Sequence, residues 1–370
     1  MDNLPFEAAR LTVRLGAVAA NYRECATLAG PAAVAAVVKA DAYGLGALAV
    51  TRALAEQGCD SFFVARLEEG LALRPVVPAA RIFVLDGAQP DSIPALISYR
   101  LTPVLNSLEE IAAWSAAARD GRGRLEAALH VDTGMNRMGL SARELSTLAA
   151  EAAVRLGRIR VVLLMSHLAC ADDPGNEMNA TQCARFRDAL AMLPPAPASL
   201  ASTGGILLGK DYAFDMVRPG IGLYGGNPQN PWPNPFATAA VLTGRIAQLR
   251  RIDKGESVGY GATFRSERDS MLATVALGYA DGLMRAIGNR GAGAIGGTRV
   301  PVVGRVSMDY VTLDVSGVAD GRCAVGQDVE FFGDAIALEE IAAAAGTANY
   351  EVLTSVSPRV QRHYLNEAAQ

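Results

Sequence analysis

The sequence predicts an α/β chain: an N-terminal (β/α)8 TIM-like barrel over residues 1–231 and a C-terminal mostly-β domain over 232–370, with about the first ten residues free to pack with the second unit. Three observations carry that expectation. Between residues 32 and 220, apolar runs of strand length alternate eight times with segments of helical period, the repeat of a parallel barrel. By count alone a doubly wound open sheet shares that repeat. From Asn227 to Pro235, four prolines alternate with polar residues and one tryptophan, a composition that continues neither a helix nor a central strand. Beyond this break the runs become β-rich and are separated by tight turns.

The barrel strands are expected at residues 33–38, 61–65, 81–85, 101–105, 125–131, 161–166, 198–202 and 215–218. Between them, Ser107 with Glu110 reads as a capping box, with Ile111, Trp114 and Ala118 on one face and Gly121 as the stop. Ser141 with Glu144 repeats the device; Leu145, Leu148 and Ala152 form the buried stripe, and Gly157 is the stop. In the second unit, strands are expected at 241–249, 271–277, 299–303, 311–315 and 328–332, a turn at 253–256, and one helix at 337–345. No internal repeat of fixed period is present.

Apolar residues make up 51% of the chain and charged residues 19%, a globular composition. A net charge of -4 without a long basic run argues against nucleic acid as the main partner and leaves a small molecule as the default. The five cysteines are scattered and show no C-x-x-C spacing, so neither a disulfide framework nor a metal site is expected. Residues 1–10 lack an apolar signal core, and no run of eighteen apolar residues occurs. The expectation is a soluble, cytoplasmic protein with no membrane partner.

A (β/α)8 barrel places its active site at the carboxyl ends of the strands, and polar residues collect at those exits. Lys39 follows the first strand, His130 and Asp132 the fifth, His167 the sixth, Ser202 the seventh and Arg218 the eighth. A lysine closing a buried apolar strand is partly desolvated, which lowers its pKa and suits it to Schiff-base chemistry with an aldehyde. A solvated strand cap would look the same. Ser202-Thr203-Gly204-Gly205 and Arg218-Pro219-Gly220-Ile221 offer a hydroxyl and glycine-exposed N–H groups, the material of a phosphate site; two tight turns would need the same glycines. An amine for an aldehyde and a cradle for an anion are what pyridoxal 5'-phosphate requires.

The string Ala36-Val37-Val38-Lys39-Ala40-Asp41-Ala42-Tyr43-Gly44-Leu45-Gly46-Ala47 resembles the pyridoxal-phosphate lysine motif of alanine racemases. The resemblance extends in order along the chain, through residues 131–139 (VDTGMNRMG), 165–169 (MSHLA), 217–221 (VRPGI), 258–264 (VGYGATF), 278–282 (GYADG), 307–309 (SMD) and 349–352 (NYEV). It implies a fold-type III enzyme that interconverts L- and D-alanine with pyridoxal 5'-phosphate and supplies D-alanine for peptidoglycan. By resemblance Lys39 holds the cofactor, Tyr43, Ser202, Gly220, Ile221 and Tyr350 bind its phosphate, Arg218 meets the pyridine nitrogen and His167 supports Arg218. Arg137 and the backbone of Met308 would hold the substrate carboxylate. An arginine only donates hydrogen bonds, so the ring stays largely unprotonated and side reactions are limited.

Inverting an α-carbon is most simply done by two acid–base groups on opposite faces. Lys39 serves one face. The resemblance makes Tyr260 the other, assisted by the nearby cation Arg137, and delivers Tyr260 and Met308 from the second subunit of a homodimer. Two positions depart from the pattern. His130 stands where many members carry a carbamylated lysine that orients the arginine, and Ala201 stands where an asparagine often precedes the phosphate serine. A racemase of broader or serine-shifted range is the alternative, with Tyr279 and Tyr350 beside the pocket that would decide. A non-catalytic pyridoxal-phosphate-binding protein would be a single barrel, and a fold-type III decarboxylase would carry a cysteine-containing motif in place of Ser307-Met308-Asp309.

Overall fold

The structure, a computed structural model, describes residues 7–118, 123–229, 233–319 and 321–366. All eight expected barrel positions hold strands. The first is split into Ala33–Val34 and Ala36–Val37; the others are Ser61–Val64, Arg81–Val84, Thr102–Leu105, Leu125–His130, Ile159–Met165, Ala198–Ser199 and Met216–Val217. From Ala36–Val37 to Ala198–Ser199 they pair in parallel and in sequence order.

Closure separates the barrel from the open sheet. Met216–Val217 pairs in parallel with Ala33–Val34, and the Arg218 N–H donates to the Ala201 carbonyl at 2.9 Å. The ring is therefore joined on both sides of its eighth strand. Alternate residues face opposite ways along each strand. Ala35, Phe63, Phe83, Val104, Ala128, Leu163 and Met165 fill the interior, with the Phe63 and Phe83 rings stacked at 4.4 Å between centroids. Their neighbours Phe62, Ile82, Val84, Leu105 and Leu129 pack outward against the helices.

Helix Leu108–Ala117 starts with the Ser107 side chain accepting the Glu110 N–H, but the reciprocal half of the box is missing. The Glu110 carboxylate accepts from the Asn106 N–H instead, at 2.8 Å. Ser141 and Glu144 do form a complete capping box ahead of Ala142–Ala150, with Leu145 and Leu148 buried. Ala152, expected on the same stripe, opens a separate short helix, Ala152–Arg155, and is only half-buried. The expected stop at Gly121 lies outside the described residues.

In the second unit the expected strands appear as Ala240–Ile252, Ser270–Val275, Thr298–Pro301, Val311–Asp314 and Asp328–Phe332, and the helix as Leu338–Ala345. Strand Ala9–Arg14, not anticipated as a strand, lies in this sheet, antiparallel to Ala240–Ile252 and parallel to Gln361–Leu365. Leu11 and Val13 are buried there, while Arg10 and Arg14, which flank them, pair with Asp328 and Asp334. A further strand, Ala292–Ile295, and helix Asn349–Thr354 also went unanticipated. The division expected at 231/232 lies outside the described residues. Among the described residues no helix is long and apolar enough to cross a membrane, and no cluster of His, Cys, Asp and Glu is placed to hold a metal.

Candidate active site

A cavity of about 630 Å³ opens at the carboxyl ends of the barrel strands, and Lys39, Tyr43, His130, Arg137, His167, Ser202, Arg218, Gly220, Ile221 and Tyr350 all line it. Tyr350 arrives from helix Asn349–Thr354 of the second unit. Tyr260 and Met308 do not reach the cavity of their own chain; they are 73% and 54% exposed.

Lys39 is followed by an unusual backbone. Ala40, Asp41, Ala42 and Tyr43 have φ of 52, 55, 53 and 57°, and Gly44 has 84°, a left-handed helical turn that costs about 1–2 kcal/mol per non-glycine residue. Hydrogen bonds from Ala42 N–H to Val38 O (2.9 Å) and Gly44 N–H to Ala40 O (2.8 Å) close it. The Asp41 carboxylate accepts the Ala47 N–H at 2.7 Å. At the other end the Glu69 carboxylate accepts from Ala40 at 2.6 Å, and from Ala65 and Arg66 at the exit of the second strand. Burial, and then the positive charge of Arg137, hold the Lys39 ammonium below the usual lysine range.

Arg218 is buried, and both Nη groups of its guanidinium are bonded without a carboxylate. It donates to Ser199 Oγ (2.5 Å), Ser166 O (2.6 Å) and Leu200 O (3.3 Å), and Nη2 lies 3.5 Å from His167 Nδ1. Because guanidinium only donates, Nδ1 of His167 is the accepting nitrogen. Burial, followed by Arg218 and Arg137, keeps His167 neutral, its pKa well below the ordinary value. Burial lowers Arg218 to about 10, so it remains a cation at neutral pH. Its Nε–H has no partner among the described residues.

Around Gly220 lie hydroxyls with no protein partner among the described residues: those of Tyr43, Ser202 and Tyr350. The Tyr43 and Tyr350 rings are 6.1 Å apart. Ile221 opens a short 3-10 turn, Ile221–Tyr224, so its N–H has no acceptor within that turn. The Gly220 N–H is already taken by Thr203 Oγ1 at 3.1 Å. Gly220 is needed for closeness rather than for its dihedral: a Cβ there would stand 2.3 Å from the Tyr43 hydroxyl oxygen. One partly desolvated amine, unpartnered hydroxyls beside a free N–H, and a buried arginine with an unused donor fit pyridoxal 5'-phosphate.

Arg137 lines the cavity without a hydrogen bond to any described residue. Its loop is shaped by Asp132, whose carboxylate accepts the N–H groups of Gly134, Met135 and Asn136 at 2.9–3.2 Å. His130 Nδ1 lies 2.9 Å from Asn106 Oδ1. The Asn106 amide donates to Leu85 O and Val104 O, so its oxygen must accept and His130 carries its proton on Nδ1. Nε2 is left as an acceptor. Burial, and then Arg218, push His130 down to about 4.

Comparison with known proteins agrees with this geometry. The profile of the alanine racemase N-terminal domain matches residues 13–228, and that of the C-terminal domain residues 239–364. The chain belongs to the alanine racemase family. It is 47% identical over 356 residues to "Alanine racemase, catabolic" of Agrobacterium fabrum, covering 96% of this chain and 92% of that one. To the alanine racemase of Rhizobium meliloti it is 45% identical over 372 residues, covering 98% of each. Among solved structures, alanine racemase from Bartonella henselae with covalently bound pyridoxal phosphate superposes with a TM-score of 0.92 at 37% identity, over 97% of this chain and 100% of that one. The biosynthetic alanine racemase of Pseudomonas aeruginosa gives 0.91 at 35% identity, over 97% and 100%.

Against the alanine racemase pattern, His130 supplies a neutral acceptor where the family motif suggests an anion. Ala201, fully buried, contributes only backbone. Glu69, Asn106 and Ser199 were not singled out from the sequence. A glutamate at the third position of a helix is a capping signal only behind Ser or Thr, and Arg66 stands there. Two outcomes follow from this geometry. Gly220→Ala should weaken pyridoxal phosphate binding about tenfold or more by displacing the Tyr43 hydroxyl; equilibrium titration by absorbance checks it. His130 should stay neutral by NMR until the pH nears 4. The folded state binds its proton less readily than the unfolded chain, so His130 lowers stability as pH falls from about 6.5 towards 4, and urea midpoints should be less acid-sensitive in His130→Asn over that window.

Proposed function

We propose that this chain is a pyridoxal-phosphate-dependent racemase that interconverts L- and D-alanine. The observation that carries the reading is the meeting, in one cavity, of a lysine of lowered pKa, an anion cradle and Arg137, which has no hydrogen bond to any described residue. Lys39 would hold the cofactor, Tyr43, Ser202, Ile221 and Tyr350 its phosphate with Gly220 giving close approach, and Arg218, supported by His167, its ring nitrogen. The cofactor supplies an electron sink that makes the substrate α-hydrogen acidic.

The chain's own groups then do the rest. Arg137 binds the substrate carboxylate, assisted by the backbone of Met308. A lysine amine whose pKa is lowered by burial and by Arg137 can, once neutral, take the α-proton from one face. A second group must return one on the other face, and no tyrosine of the same chain other than Tyr43 and Tyr350 lines the cavity. Tyr260 and Met308 stand exposed on the second unit together with Tyr279 and Tyr310, an aromatic surface suited to pairing. We therefore read the active unit as a homodimer in which Tyr260 and Met308 serve the cavity of the other copy. A single-barrel cofactor-binding protein is disfavoured because Tyr350, from the second unit, completes the cavity wall.

Chiral analysis after incubation with L-alanine and pyridoxal phosphate should show convergence to equal L and D forms, with L-serine slower. Lys39→Ala and Tyr260→Phe should each lose about 10²–10⁴-fold. Mixed and re-equilibrated, the two variants should recover about a quarter of wild-type turnover, because half of the dimers would contain one intact composite site. No recovery would contradict the in-trans arrangement. We also assign the reaction to D-alanine supply for peptidoglycan, so that a strain lacking the gene should require D-alanine. Growth without it, coupled with failure to use D-alanine as a nutrient, would instead favour the role in the name of the Agrobacterium relative.

A further inference from the structure

The left-handed turn after Lys39 is gripped at two ends by different parts of the molecule. Glu69, from the barrel, holds the Ala40 N–H next to Lys39. At the far end Arg362, on the last strand of the second unit, donates from Nε to the Gly44 carbonyl at 3.1 Å. The same guanidinium donates to Ser357 O and Val360 O (both 2.6 Å) and to Val356 O (2.7 Å). Those carbonyls belong to the loop that follows helix Asn349–Thr354, the helix that carries Tyr350.

Contacts at the same seam are close. A Cβ on Gly44 would stand 2.9 Å from the Leu353 carbonyl oxygen, and one on Gly46 would stand 1.9 Å from the Tyr364 hydroxyl. The turn that carries Tyr43 thus lies flush against the element that carries Tyr350, with Arg362 bonded to both sides. A guanidinium bonded to four carbonyls fixes their relative positions in a way a lysine ammonium does not.

We infer that Arg362 is a positioning residue that sets the spacing of the Tyr43 and Tyr350 hydroxyls and so the grip on the phosphate of a phosphorylated pyridine aldehyde, leaving the Lys39 end of the turn to Glu69. This rests on the reading of the cavity as the cofactor site. Losing Arg362 should therefore cost recognition of the phosphate more than recognition of the aldehyde.

The test compares pyridoxal 5'-phosphate with pyridoxal, which has the aldehyde but no phosphate, by equilibrium titration on the full chain freed of cofactor. Wild-type protein should prefer the phosphorylated form strongly. Arg362→Ala should reduce that preference about tenfold or more, with pyridoxal affinity changed less than about twofold. Arg362→Lys should show the same loss in smaller degree and serves as the reading if the alanine variant does not fold. Gly44→Ala, which forces the seam apart from the other side, should reproduce the signature. A parallel loss for both ligands, or no loss in either arginine variant, overturns the proposal. Absence of any preference in wild-type protein would instead overturn the cofactor reading beneath it.

Discussion

Four consecutive non-glycine residues in left-handed conformation are the constraint on which the site depends. The strand before them delivers Lys39, and the turn itself presents Tyr43 beneath Gly220. That backbone costs several kcal/mol relative to an ordinary helix, and local hydrogen bonds alone are a modest offset, each worth about 1 kcal/mol net. The remainder comes from remote groups. Glu69 reaches in from the second barrel strand's exit and Arg362 from the last strand of the chain, so a segment that no isolated peptide would adopt becomes the lowest-energy path in the assembled protein.

Electrostatics of the cavity follow from a second constraint. Arg218 is buried among carbonyls, a hydroxyl and an imidazole, with the Phe63 ring 5.9 Å from its charged carbon, and no carboxylate among the described residues neutralises it. Lys39 and Arg137 add to the same side of the ledger. Both histidines respond by staying neutral: one presents Nδ1 to Arg218, and the other is locked by Asn106 with its proton on Nδ1. A cavity lined by three cations against the two carboxylates Asp86 and Asp172 carries an excess of positive charge and is suited to an anionic ligand.

Much of this was legible in the sequence, for reasons that differ by element. Strands buried on both faces leave unbroken apolar runs, so all eight barrel positions could be read, and strand-exit chemistry placed Lys39, His130, His167, Ser202 and Arg218 together. Ala9–Arg14 escaped because two arginines flank its only buried residues, Leu11 and Val13, and their partners Asp328 and Asp334 are more than 300 residues away. The left-handed turn has no signature at all, since Ala-Asp-Ala-Tyr reads as ordinary helix. Glu69 and Arg362 act on backbone atoms of distant segments, and such contacts follow from topology rather than from local pattern. Tyr260 and Met308 are the reverse case: motif alone singled them out, and a single chain leaves them on its surface.

The strand Ala9–Arg14 has a consequence for the order in which the molecule can be made. Its two neighbours are Ala240–Ile252 and Gln361–Leu365, so a strand made ahead of the barrel must wait for two that are made after it. The barrel, whose pairings are all internal to residues 33–217, can close in the meantime. Arg362 is separated from its acceptor Gly44 by 318 residues, and a contact so distant in sequence forms late. During synthesis the barrel therefore exists for a time with its lysine turn held at the Glu69 end alone, and the finished pocket waits for the second unit.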